Sequence, residues 1–150
     1  MYAAKKSGAH VSNVLKYQVL TPGFSRSKEG TAYTAWCAFT LDWGTSASEE
    51  LQKVLPETSI VGAFKNTFFK VFNEPLHKGL KSDVYLTSAD EKAKSIVNDL
   101  LESISFRLID GGELKNNRTI ERMTLSEREV SMRYGNYPHV SFRMWGLEKE

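Results

Sequence analysis

DVYLTSADEKAKSIVNDLLESISFRLIDGG, residues 83–112, reads as strand, capped helix, strand and glycine turn in one unbroken run. DVYLT (83–87) is a short apolar, β-branched stretch of the kind buried on both faces of a sheet. Ser88 and Glu91 stand at capping-box spacing. Ala93, Ile96, Val97, Leu100, Leu101 and Ile104 then recur at helical intervals, which predicts a helix over 89–103 with one apolar stripe. FRLID (106–110) supplies the second strand. Two strands joined through one helix form a crossover unit, and such units build parallel sheets.

Neighbouring segments extend the pattern. Ser46 and Glu49 make a second capping box, Ala47, Leu51 and Leu55 follow at four-residue intervals, and Pro56 stops a predicted helix over 47–55. SIVGAF (59–64) is a further buried strand, Asn116 or Asn117 caps a helix beginning at Arg118, and HVSFRMW (139–145) suits a closing strand. Before residue 45 the signal is weaker. Leu15, Tyr17 and Val19 alternate with polar residues as in a half-buried strand, Thr21-Pro22-Gly23 reads as a turn, 24–30 as a loop and 31–43 as an extended segment. Residues 1–12 show no period and read as a loose lead-in. The order predicts one α/β domain over 1–150 with a mostly parallel sheet.

Composition narrows the function. At 41% hydrophobic and 25% charged, 150 residues suffice for an ordinary globular core. Twenty Lys+Arg against eighteen Asp+Glu, interspersed, argue against nucleic acid as the main partner. The chain has no run of the roughly 18 apolar residues that span a bilayer, and MYAAKKSGAHV lacks the apolar core of a signal peptide, so a cytoplasmic location without membrane contact is expected. Cys37, the single cysteine, allows no internal disulfide and reads as a small buried hydrophobe. His10, His77 and His139 have no metal-ligand neighbours at helical spacing, so no metal site is expected.

In parallel sheets ligands gather at the carboxyl ends of the strands, which directs attention to the loops after 64, 87 and 109. Neither a G-x-G-x-x-G nor a Walker sequence occurs. Glu113 follows Gly111-Gly112, placing a carboxylate where a phosphate cradle wants none, so this pair reads as a turn by which the chain leaves the strand, with a direct phosphate site as the lesser alternative. Lys65, Lys70, Lys78 and Lys81 around Phe68, Phe69 and Phe72 read either as a site for an anion or as a solvated rim over core aromatics.

Taken together, GTSASEELQKVLP, IVGAFKNTFFKVF, SADEKAKSIVNDLLESISFRLIDGG and LKNNRTIERMT resemble the second half of the NADPH-dependent deazaflavin-coenzyme (coenzyme F-420) reductase family. VLKYQVLTP is more loosely similar to a family strand. The resemblance implies a partial Rossmann-like (NAD(P)-binding) three-layer domain and hydride transfer between NADP(H) and a deazaflavin or other acceptor, with no catalytic acid, base or metal required. It places Ala63, Phe64, Asn66 and Thr67 beside the nicotinamide or acceptor, and Arg118 and Glu121 along the cleft or a subunit contact. Helix capping is the competing role for Asn66 and Thr67, and an i, i+3 surface pair for Arg118 and Glu121.

The family's glycine-rich phosphate-binding part has no counterpart in these residues, so NADP binding by this chain alone is expected to be weak or absent. Losing three charge-assisted hydrogen bonds at about 1.5–3 kcal/mol each turns a micromolar site millimolar. The strand near 14–20 is then an open edge. That edge suits a homodimer, or pairing with another chain as a non-catalytic interaction module. LSEREVSMR (125–133) is more charged than the family's helix at this position.

Overall fold

The computed structural model describes residues 2–5, 20–23, 36–39, 41 and 43–147. Its elements are β1 (Tyr2–Lys5), β2 (Leu20–Gly23), β3 (Trp36–Phe39), α1 (Ala47–Val54), β4 (Ser59–Gly62), α2 (Phe69–Asn73), β5 (Leu76–His77), β6 (Leu80–Lys81), β7 (Asp83–Ser88), α3 (Glu91–Leu101), β8 (Arg107–Asp110) and α4 (Asn117–Arg133). A 3-10 turn, Leu114–Asn116, leads into α4.

The central sheet has the order β1-β4-β7-β8. Strands β7 and β8 are parallel, from Asp83 opposite Arg107 to Leu86 opposite Asp110, as the crossover through α3 requires. Both other pairings are antiparallel: β4 meets β7 with Val61 opposite Ser88, and β1 meets β4 with Tyr2 opposite Gly62. The sheet is therefore mixed, not mostly parallel, because an apolar run such as SIVGAF carries no mark of its direction. Helices cover both faces. Val61, Val84 and Leu86 pack with Ala93, Val97 and Leu101 of α3, whereas Ile60 turns the other way onto Leu114 and the half-buried Ala47 and Leu51.

Local chemistry explains the helix starts. Ser46 accepts from the Glu49 amide and caps α1. At α3 the cap is Asp90, not Ser88: the Asp90 carboxylate takes the Lys92 and Ala93 amides, while Ser88 donates to the Ile60 carbonyl and fastens β7 to β4. The buried stripe of α3 is narrower than the sequence pattern, since Ile96 and Leu100 reach solvent. Neither Asn116 nor Asn117 caps α4 through its side chain.

Several expectations change near the termini. Residues 2–5 form an edge strand on β4, where the sequence suggested a loose lead-in, and Thr21-Pro22-Gly23, expected as a turn, belong to β2, which pairs with β3. The β3 strand lies inside the extended segment expected over 31–43. The strand expected over 15–19, the loop over 24–30 and the burial of Cys37 lie outside what is described. Residues 139–145 form no ladder. They run beside β7 through the Asp83 amide to the Phe142 carbonyl and the Met144 amide to the Asp83 carboxylate, which also holds Arg107 at 2.7 Å.

Candidate functional site

The reversed direction of β4 decides which loops can share a site. Because Gly62 sits opposite Thr87, the chain leaving β4 runs toward the Asp83 end of β7, away from Gly111-Gly112. Phe64 marks that end: its ring lies 5.5 Å from Phe106, just before β8, and 4.7 Å from Phe72. The loops after 87 and 109 lie at the other end, so the glycine pair does not border the turn after β4. Gly111 is needed for closeness, since a Cβ there would stand 2.8 Å from the Thr87 methyl, and Gly112 for its φ of +75°.

The turn itself is tightly held. Ala63, Phe64, Lys65 and Asn66 are all buried and Thr67 is half-buried. Phe64 has φ 56°, a left-handed conformation uncommon for a non-glycine residue and often found where a site fixes its backbone. Thr124 of α4 donates to the Lys65 carbonyl at 2.9 Å, clamping the turn to the helix. Asn66 is 2% exposed, and neither its amide nitrogen nor its oxygen has a hydrogen-bond partner among the described residues.

Lys65 points inward, 2.9 Å from Glu121, with both side chains almost wholly out of solvent. Burial pushes the lysine's pKa down from its ordinary value, and the Glu121 charge and hydrogen bond oppose that shift. The Glu121 carboxylate also accepts the Ala47 amide at 3.0 Å and the Ser48 hydroxyl at 3.2 Å, in the first turn of α1 where the helix dipole favours an anion. Next to it, Asn117 donates to Ser48 at 2.8 Å and to Thr87 at 2.7 Å. Gly62 makes room for this cluster: a Cβ there would lie 2.5 Å from the Asn117 amide nitrogen.

Of the residues expected at the site, Ala63, Phe64, Asn66 and Thr67 share this turn, and Glu121 reaches it through Lys65. Arg118 does not join them and does not pair with Glu121. It forks onto Glu49 at 2.6–3.1 Å on the surface, and the charged guanidinium holds the Glu49 carboxyl below its usual range. The basic and aromatic cluster also divides: Lys65 is buried, Phe68 stacks edge-on with Tyr137, and Phe69 is exposed. Sequence reading missed Asn117 and Thr124, whose burial follows from their place on the sheet-facing side of α4.

No protein-family model matches the chain. The F420-dependent NADP reductase of Methanocaldococcus jannaschii is 39% identical over 80 residues, which are 53% of this chain and 35% of that protein. The chain thus spans about a third of the length of this curated relative. In fold it is similar to a crystal structure from Arthrobacter sp. FB24 provisionally named an F420-dependent NADP-reductase. The TM-score is 0.60 at 20% identity, covering 66% of this chain and 46% of that one. Together these bear out the resemblance to the deazaflavin-coenzyme reductase family read from the sequence.

Proposed function

We propose that this chain forms the nicotinamide- and acceptor-facing part of a Rossmann-like NADP-dependent oxidoreductase that passes hydride between NADP(H) and a deazaflavin or similar acceptor. The observation that carries the reading is Asn66, a buried amide with both polar atoms unsatisfied among the described residues, on a turn fixed by Phe64 and Thr124. A buried polar group without a partner costs about 1–3 kcal/mol, and the carboxamide of nicotinamide offers the complementary donor and acceptor. NADP(H) supplies the hydride when bound. The chain's own contribution is positional: Asn66 orients the carboxamide, Ala63 and Thr67 line the approach, and the Lys65–Glu121 pair keeps the turn rigid. Arg118, engaged by Glu49 on the surface, takes no part in this arrangement.

These residues contain no glycine-rich phosphate cradle, so the pyrophosphate gains little from this chain and NADPH affinity in the millimolar range is expected. The test is an NADPH titration of the purified chain followed by nicotinamide fluorescence and calorimetry, with its mass in solution recorded in the same buffer. Asn66→Ala is expected to weaken binding about fivefold to tenfold, as loss of one or two hydrogen bonds implies, while thermal unfolding stays cooperative. A folded wild-type chain that binds no NADPH at millimolar concentration would overturn the reading in favour of a non-catalytic interaction module. An unchanged affinity in Asn66→Ala would remove Asn66 from the site.

A further inference from the structure

Among the described residues, Asn66 and Glu127 are the two buried side chains in which every polar atom lacks a hydrogen-bond partner. Asn117 and Arg143 each leave one atom unmet but are held through others. Asn66 is 2% exposed and Glu127 7%. The hydride-transfer reading uses the first and leaves the second without a role. A buried amide and a buried carboxylic acid present the same pattern, a donor beside an acceptor, and both are costly to leave unmet.

The chain brings the two to one stretch of α4. After β4 the turn is pinned at Lys65, whose side chain meets Glu121 at 2.9 Å and whose carbonyl takes the Thr124 hydroxyl at 2.9 Å. Further on, the Phe68 ring lies 5.3 Å from that of Tyr137, and the Arg128 guanidinium lies 5.8 Å from the same Tyr137 ring. The chain from Lys65 to Phe68 therefore runs along α4 from Thr124 toward Arg128, and Asn66 falls in that interval. On the α4 side of the interval Leu125 is half-buried, Ser126 is exposed and Glu127 is buried. The ionisable groups around it are Lys65 and Glu121, paired with each other, Tyr85 and Asp83 of β7, Arg107 of β8, which forks onto Asp83, and Arg128 beside Tyr137. None of them gives the Glu127 carboxyl a hydrogen bond.

Two side chains that each hold a donor beside an acceptor select a planar group carrying the complementary pair, which is an amide. We propose that Glu127 is the second polar wall of the Asn66 site and that the two together take a carboxamide. Asn66 pairs with its N–H and C=O edge, and the Glu127 hydroxyl donates to the remaining lone pair of the carbonyl. Ionisation would replace that donor by a carboxylate facing the carbonyl oxygen. The proposal rests on the reading of Asn66 given above and adds a residue to it.

The test is calorimetric and NMR titration of the full chain with nicotinamide, with NADPH and N,N-dimethylnicotinamide alongside. Saturable binding of nicotinamide is expected, and weaker binding of the dimethyl compound, which has no N–H to offer. Glu127→Leu should weaken nicotinamide about fivefold to tenfold while unfolding stays cooperative, and Glu127→Gln, which keeps a donor, should stay within about twofold of the wild type. Wild-type affinity should fall as pH rises through about 8, where the acid loses the proton it donates, and that of Glu127→Gln should stay level. The Glu127 carboxyl carbon should titrate at higher pH with nicotinamide bound than without, a change that a purely structural role does not produce. If the wild type binds neither NADPH nor nicotinamide, the reading of Asn66 falls and this proposal with it. If nicotinamide binds and Asn66→Ala weakens it, but Glu127→Leu and the carboxyl titration show no effect, the proposal alone is overturned.

Discussion

Glu121→Gln is expected to lower the stability of the fold by about 3–5 kcal/mol, because it removes the carboxylate 2.9 Å from the buried Lys65 ammonium. Three elements meet at that carboxylate: Lys65 of the turn after β4, and the Ala47 amide and Ser48 hydroxyl of α1, with Glu121 itself on α4. Glutamine keeps one oxygen for the Ala47 amide but no charge for the lysine. Adding Lys65→Met should recover most of the loss, since an apolar side chain of similar length does not need the pairing. Urea denaturation of the two single variants and the double variant checks this as a cycle, and strong coupling is the expected outcome. A loss under about 1 kcal/mol would mean that water reaches the pair, as it does in surface ion pairs. The result bears on function as well, since the turn anchored by this pair carries Asn66.

The elements that were legible in the sequence are those whose pattern and boundaries agree. Strands β4, β7 and β8 stood out as apolar runs between breakers, and α1 and α3 as periodic segments with capping residues near their first turns. Strand direction was not legible. Reading β4 as parallel to β7 put the loops after 64, 87 and 109 at one end of the sheet, and the ladder from Val61–Ser88 to Gly62–Thr87 separates the first from the other two. The β5–β6 hairpin escaped because its strands are two residues each and its turn is Lys-Gly, a weaker signal than Asn-Gly. At the candidate site, the resemblance picked out Ala63, Phe64, Asn66 and Thr67 of the buried turn, but the residue it skips, Lys65, is the anchor. Nor does charge mark exposure in LSEREVSMR, more charged than the helix of the resembled family, since Glu127 and Ser131 within it are buried. A carboxylate in sequence carries a strong expectation of exposure, and only packing reveals the exception.

Glu127 is one such exception, and it should give the chain an unusual dependence of stability on pH. It is 7% exposed, neither carboxylate oxygen has a hydrogen-bond partner among the described residues, and burial pushes its pKa from 4.5 up to about 8. It lies close enough to Tyr85 of β7 to add to the upward shift of that phenol, which burial drives first and Asp83 second, with Arg107 opposing. Between about pH 4.5 and 8 the unfolded chain binds fewer protons at this carboxyl than the folded one, so stability falls as pH rises through that window. Below it both states are protonated and the group makes no difference. Above it the loss is complete, about 2–4 kcal/mol after allowance for partial hydration of the carboxyl. Glu127→Gln has no proton to lose, so its stability should stay nearly level where that of the wild type declines. The advantage of the variant should grow from almost nothing at pH 5 to about 2–4 kcal/mol at pH 8 in paired urea titrations. Parallel curves for the two proteins would show a hydrated carboxyl and place this face of α4 in contact with solvent. Divergent curves would mean that the chain keeps, at neutral pH, a protonated acid inside α4 at a measurable cost in stability.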